Sequence, residues 1–387
     1  MKAFAVKGWC PTALRPMVSG DGLVVRIRPH GGRLSAAQVL GLADLATRYG
    51  NGLIDLTGRA NLQIRGVSVG GHGSLIAELA RLDLVDADAE LEAQRNILVA
   101  PFWRDGDDTK TLAAELERML AVRPLGLPHK FGFAVDCGSE RALAQAPADV
   151  RIERSKDGGL IVRADGAERG RAVTAAEAIN VARSLAIWFV ASGGASDGRG
   201  RMAAHVAGGT ELPETLAGET APAAMASRLQ PGLYLGGALV GLSFGQLQGA
   251  TLKYLSSVAP GLRLTPWRMI LLEGASDMPR HDGLVTRADD PRLCVAACVG
   301  APACPEARAE TRALAAALAP HLPKDANLHV SGCAKGCARP TSSDVTLVGT
   351  ESGFDLVRHG TARDLPVRRG LAREEILADP ASFLGGR

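Results

Sequence analysis

Apolar and polar residues alternate along LVVRIRP (23–29), the period of a half-buried strand. The period then lengthens, and Val39, Leu42, Ala43, Leu45 and Ala46 recur near helical spacing. A Gly-bearing turn follows, then a second extended stretch entered through Leu56-Thr57. This unit, 22–67, reads as strand, turn, amphipathic helix, turn and strand. The same order returns at 238–275, again with a strand entered through Leu-Thr. Repeated supersecondary order at this scale predicts a duplicated architecture.

The pattern between and after the repeats mixes both periods. Helices are expected over 109–121 and 174–192, the second opened by Thr174 with Glu177 three residues on, a capping box. Strands are expected at 130–137 and 158–164, and 214–227 has the composition of a linker. Beyond the second repeat, the pattern predicts a helix at 305–319, a strand at 327–331 and a hairpin at 344–358. The outline is therefore repeat, αβ block, repeat, αβ block.

Composition narrows the class. The chain has 387 residues, more than one core ordinarily serves, and 46% of them are hydrophobic. A net charge of +3 carries no global nucleic-acid signature, so anion recognition must come from local arginines. The opening MKAFAVKGWCPTALRPM lacks the apolar run of a secretory signal, and LAIWFVA (185–191) is too short to span a bilayer. The expectation is a cytoplasmic protein with no membrane and no nucleic-acid partner.

Five of the seven cysteines fall between 294 and 337, which favours metal over a disulfide framework. Cys298 and Cys304 form a C-x5-C, and Cys333 and Cys337 a C-x3-C within HVSGCAKGCARP (329–340). Four thiolates suit an iron–sulfur cluster or zinc. Zinc sites more often use two-residue gaps, so the looser spacing favours the larger cubane. Pro305 places Cys304 at an expected helix N-terminus, where free amides favour negative charge. Cys294, four before Cys298, is either an alternative ligand or a spare thiol. Cys10 and Cys137 stand alone.

Polar chemistry concentrates in TGRANLQIRG (57–66). Read as one strand, it puts Arg59, Asn61, Gln63 and Arg65 on one side and Leu62 and Ile64 on the other. Two guanidiniums on such a face suit carboxylates. DGRGRM (197–202) is a Gly-flanked basic loop, readable as a ligand contact or as a surface turn.

Taken in order, C-x5-C, G-C-x3-C and the LTGRANLQIRG strand resemble the sulfite and nitrite reductase family, as do QRNILVAPF (94–102) and LPHKFGFAV (127–135). The resemblance implies an α+β fold with two ferredoxin-like half-domains (1–80 and 226–282) alternating with two α/β domains (81–225 and 283–387). It implies a [4Fe-4S] cluster on Cys298, Cys304, Cys333 and Cys337, the last facing a tetrapyrrole. Arg59 and Arg95 match the family's two anion-holding arginines, and Lys130 the first of its two lysines; Gly132 stands where the second belongs. One anion-holding charge is thus missing.

Together with GRGRMAAHVAG and LTPWRMILL, these motifs most resemble the precorrin-3B synthases, in which the tetrapyrrole is substrate. That implies precorrin-3A and dioxygen as substrates, an electron donor, hydroxylation at C20 and γ-lactone formation. Arg59, Arg65, Arg95, Lys130, Arg199, Arg201 and Arg268, with Asn61, Gln63 and Asn96, are then the expected contacts. A mononuclear non-haem iron is a further candidate cofactor, although no compact two-His-one-carboxylate motif is visible. His129, His205 and His329 are the histidines placed near the site. Sirohaem enters only under the alternative, a nitrite or sulfite reductase; a non-catalytic iron–sulfur carrier would have no use for the arginines.

Overall fold

A computed structural model describes residues 10–385, so the first nine residues of the opening segment lie outside the described residues. The described strands form four five-stranded sheets. Each repeat builds one antiparallel sheet and each αβ block one mixed sheet. The expected α+β duplication is present.

The first repeat orders its sheet Met17–Ser19, Gly22–Ile27, Leu62–Val67, Leu53–Leu56. The second orders its own Gly232–Tyr234, Gly237–Gly241, Met269–Glu273, Gly261–Leu264. Each sheet then takes its fifth strand from the other repeat. Gln246–Gln248 pairs with Leu53–Leu56, and Arg33–Ser35 pairs with Gly261–Leu264. The equivalence extends to backbone detail. Gly31 and Phe244 take the same left-handed conformation before the exchanged strands, and Ala60 and Arg268 do so in the two hairpin turns.

The exchange leaves the repeats with one core. Helices Ala36–Tyr49 and Gly249–Val258 pack on each other between the sheets. Val25, Ile27, Leu42 and Ile64 join Val240, Leu252, Leu262 and Ile270 in one apolar cluster. The Ser35 hydroxyl and Gln38 side chain cap the first helix reciprocally.

One ion pair fixes the exchanged strand. Glu273 accepts from Arg33 Nη2 at 2.6 Å and from Arg263 Nε at 2.7 Å. Arg263 is buried, donates to the Pro101 and Trp103 carbonyls, and stacks 3.4 Å from the Trp103 ring centroid. Glu273→Ala leaves that guanidinium buried without a counter-charge. The expected loss is about 3–5 kcal/mol, read as a lowered denaturant midpoint; an unchanged midpoint would refute the role given to this pair.

The first αβ block carries the sheet Arg171–Val173, Leu160–Ala164, Val150–Arg154, Phe133–Asp136, Ile97–Val99. Helices Asp108–Leu120 and Ala175–Ala191 pack on it around Phe131, Phe133 and Phe189, the second with the expected capping box. Here the expected strand 130–137 shortens to Phe133–Asp136 because Pro128 and Phe131 close a turn through Lys130. Nor does 214–227 hang free: it runs along the central sheet through bridges at Thr220, Pro222 and Met225.

The second αβ block orders Val295–Ala297, Leu328–Ser331, Ser343–Thr350, Gly353–Gly360 and Arg368–Leu371. Its helix spans only Arg312–Leu318, not 305–319. Pro302 and Pro305 bracket Cys304, and the Arg308 amide is drawn to the Gly332 carbonyl at 2.7 Å, so the chain turns before it coils. Cys304 therefore does not sit on a helix N-terminus. No helix among the described residues is long and apolar enough to cross a membrane.

Candidate functional site

The site grows from the two faces of the first sheet. Val25, Ile27, Leu62 and Ile64 face the core. Alternation then sends Arg26 and Arg28 to the opposite face, and cross-strand pairing sets Arg26 beside Gln63 and Gln63 beside Asp55. Gln63 accepts from Arg26 Nη2 at 2.9 Å when its amide presents oxygen. Arg26 and Arg28 were not singled out from sequence. Their signal was there, as two charges at i and i+2 in LVVRIRP.

The expected strand 57–66 begins only at Leu62. Thr57 to Asn61 form a hairpin turn, closed by the Asn61 and Arg59 amides on Thr57 Oγ1 at 3.2 and 3.3 Å. Arg59 and Asn61 are therefore turn residues, and the four polar side chains do not share one strand. Arg59 reaches across to the first αβ block, where its Nη1 lies 3.4 Å from the position a Cβ on Gly132 would take. The Asn96 carbonyl is 3.2 Å from the same point, so a side chain here would crowd it by a few tenths of an ångström.

Electrostatics divides the arginines into two groups. Arg65 is buried and held by Asp21 at 2.8 Å and Asp55 at 3.5 Å, and it reaches the Ala303 carbonyl beside Cys304. Arg95 is held by Asp86 at 2.8 Å and Glu117 at 3.6 Å. Arg201 is held by Asp149 at 2.9 Å. These three already carry carboxylate partners.

The others differ. Burial lowers the Arg26 pKa and takes Arg28 down to about 10, with Arg26 and Arg95 adding repulsion at Arg28. Burial and then Arg201 lower Arg59; burial, Arg312 and Arg339 lower Arg268. A guanidinium keeps its charge in proteins, so the cost of burial falls on the cation itself. Arg28 Nε has no partner at all, and the Glu92 carboxylate nearby is taken up by the Ala13 and Leu14 amides. Glu92 attracts Arg28, Asp149 attracts Arg59 and Asp55 attracts Arg268, but burial outweighs each of them, and cations desolvated together in this way are prepared for a polyanion.

The remaining candidates frame this cluster. Asn96 spends its amide on the Ala93, His129 and Phe131 carbonyls and so shapes the Lys130 turn. Lys130 itself is exposed. His129 lies close enough to Arg15 and Arg28 that, after burial, they lower its pKa. Arg199 is exposed on a tight turn at 196–199. His205 is bonded to Ser192 Oγ at 2.7 Å and packs against Trp188 and Phe189. Sequence reading also missed Asp149. It is fully buried and accepts from Arg201 Nε, the Met202 amide and the Gly132 amide at 2.9, 2.8 and 2.9 Å.

The cysteines gather on the other side of the hairpin turns. Arg268, in the second turn, donates to the Ala338 carbonyl at 2.8 Å and acts electrostatically on Cys298. Cys298 Sγ accepts the Gly332 N–H at 3.1 Å. Gly336, between Cys333 and Cys337, has a φ of +65° with Ala362 Cβ packed beside it, a conformation suited to glycine. Partial burial raises the Cys333 thiol, and Cys298 and Cys304 raise it further; Cys337 is raised by desolvation and then by Cys298, Cys333 and Cys304. The four thiols thus share one neighbourhood. Cys294 does not: it lines a separate cavity of about 440 Å³ with Met225, Leu229, Trp267 and Met269.

Among the described residues, no three His, Cys, Asp or Glu side chains are gathered to hold one metal ion. A mononuclear iron therefore finds no His₂-carboxylate group there. Thiolates around zinc stand about 3.8 Å apart, given Zn–S bonds of ~2.3 Å. A cubane is larger and takes each cysteine on a separate iron. Four thiols that act on one another electrostatically, an amide on one sulfur and a guanidinium acting on Cys298 fit that larger anionic group.

Residues 15–82 match the nitrite/sulfite reductase ferredoxin-like half domain. In structure the chain is similar to the NirA protein of Mycobacterium tuberculosis, with a TM-score of 0.64 and 19% identity over 92% of this chain and 79% of that one. A ferredoxin–nitrite reductase of Leptolyngbya laminosa is 28% identical over 39% of this chain and 32% of its own. A precorrin-3B synthase from a Sinorhizobium species is 34% identical over 93% of this chain and 84% of its own. Likeness of that degree across nearly the whole length, on a reductase-like fold, means that the chain belongs to the precorrin-3B synthase family.

Proposed function

We propose that this chain is an oxygen-dependent monooxygenase that converts precorrin-3A to precorrin-3B in aerobic cobalamin biosynthesis. The observation that carries this reading is the near-full-length likeness to a precorrin-3B synthase, against only partial likeness to nitrite reductases. The units 1–80, 81–225, 226–282 and 283–387 are taken as its domains, and the cytoplasm as its location. One oxygen atom of dioxygen enters C20 and the other leaves as water, with two electrons and two protons supplied by a separate donor. A ring-A acetate then closes to the γ-lactone.

The chain's own residues bind and orient. Arg26, Arg28, Arg59 and Arg268 are cations without adequate counter-charges, suited to the carboxylates of the macrocycle. Gln63 adds a polar contact on the same face, Lys130 an exposed charge at the rim. Cys298, Cys304, Cys333 and Cys337 would hold a [4Fe-4S] cluster, which supplies electrons one at a time. The frame arginines Arg65, Arg95 and Arg201 keep these elements in register.

The test is the absorption spectrum of anaerobically purified protein, followed by turnover of precorrin-3A with dioxygen. A broad sulfur-to-iron band that bleaches on reduction, without haem-type bands, supports the proposal. Bound sirohaem would return the chain to the nitrite and sulfite reductases. Arg59→Ala is expected to weaken tetrapyrrole binding about tenfold, ~1.4 kcal/mol, with iron content unchanged; unaltered affinity would count against the pocket.

A further inference from the structure

We infer that His329 donates a hydrogen bond to sulfur of the group held by Cys298, Cys304, Cys333 and Cys337, and thereby raises its reduction potential. The inference rests on the cluster reading above and adds a residue that reading does not use. His329 is fully buried, and neither Nδ1 nor Nε2 has a partner. An unsatisfied buried donor costs about 1–3 kcal/mol. One nitrogen of a neutral imidazole donates and the other accepts, and an unmet buried donor points to a group that meets it in the loaded protein.

Strand geometry says what lies nearby. Leu328 and Val330 enter the apolar core, so His329 and Ser331 face the other way. On the adjoining strand Val295 and Ala297 enter the same core, which puts Ala296 and Cys298 on the face of His329. Its Cε1 lies 3.8 Å from the position of a Cβ on Gly336, in the turn between Cys333 and Cys337. Cysteine-bearing backbone therefore flanks the ring on two sides.

Charge then selects the partner. The groups acting on His329 are the guanidiniums of Arg268 and Arg339, with no carboxylate among them. A ring beside two guanidiniums keeps a single N–H and needs an electron-rich acceptor. Thiolate and sulfide sulfur are such acceptors, and hydrogen bonds to them are among the determinants of cluster potential.

The test uses the full chain reconstituted anaerobically, as wild type, His329→Gln and His329→Leu. Iron and acid-labile sulfide come first. A wild type that holds neither overturns the cluster reading and this inference with it. With the cluster present, a redox titration follows. His329→Leu is expected to lower the reduced-to-oxidised ratio at a fixed potential about tenfold, a shift of ~59 mV for one electron. His329→Gln keeps an N–H and is expected to shift less than half as far.

Equal potentials in all three proteins overturn the role of His329 and leave the cluster reading intact. Should His329→Leu not fold, wild type labelled with ¹⁵N-histidine decides. Nitrogen hyperfine coupling to the reduced cluster in pulsed EPR, lost in His329→Gln, is the expected result. No coupling in the wild type, as when a water or the macrocycle edge takes the N–H, overturns the inference.

Discussion

Cys333→Ser is expected to lose the iron–sulfur cluster outright. Iron and acid-labile sulfide fall from about four of each per chain to a small residue, and the sulfur-to-iron absorption disappears. The reason is geometric. Cys333 lies in a turn whose neighbours are fixed: Ser331 Oγ donates to its carbonyl at 2.7 Å, and the Gly332 amide is already on Cys298 Sγ. A serine hydroxyl can occupy the space but is a poor ligand for iron that prefers thiolate.

The loss also costs stability. The cluster would join the loop at 298–304 to the turn at 333–337, and that cross-link exists only in the folded chain. A lowered melting temperature is therefore expected together with the lost iron. Cys294→Ser is the control, because that thiol lines a different cavity. It is expected to retain iron and sulfide at wild-type levels. Full iron in Cys333→Ser, or lost iron in Cys294→Ser, would overturn the assignment of the quartet.

The contrast between these cysteines shows what sequence could carry. C-x5-C and C-x3-C are local spacings, and local spacing survives folding. The duplication was legible for the same reason, since each unit is built from neighbouring residues. The strand exchange was not: nothing in Arg33–Ser35 states that its partner is Gly261–Leu264 of the other repeat. The helix expected at 305–319 failed where the Gly332 carbonyl, distant in sequence, claimed the Arg308 amide.

The arginines divide along the same line. Sequence found Arg59, Arg65, Arg95, Arg201 and Arg268, and could not tell them apart. Only tertiary contacts reveal that Asp21 and Asp55 neutralise Arg65, that Asp86 and Glu117 neutralise Arg95, and that Arg59 is left without such a partner among the described residues. Arg26 and Arg28 were hidden in a strand read for its apolar positions. What makes them functional candidates is shared burial, which is a property of the assembled face.

Asp149→Ala is expected to damage both stability and tetrapyrrole binding, although Asp149 touches no proposed ligand. One carboxylate satisfies three donors from two segments: the Gly132 amide, the Met202 amide and Arg201 Nε. Its removal leaves a partly buried guanidinium uncompensated and two amides unpaired, at about 3–5 kcal/mol. Asp149→Asn keeps the volume but turns an NH₂ toward one or more of those donors, so it is expected to recover only part of the loss. The functional consequence follows from position. Gly132 is the bare backbone over which Arg59 lies, and Arg201 is the cation next to it. Without Asp149 both lose their alignment. In protein that remains folded, tetrapyrrole affinity is expected to fall about tenfold, ~1.4 kcal/mol, while iron content holds, because no cysteine depends on this carboxylate. Wild-type stability and wild-type affinity in Asp149→Ala would show that the first αβ block does not position Arg59.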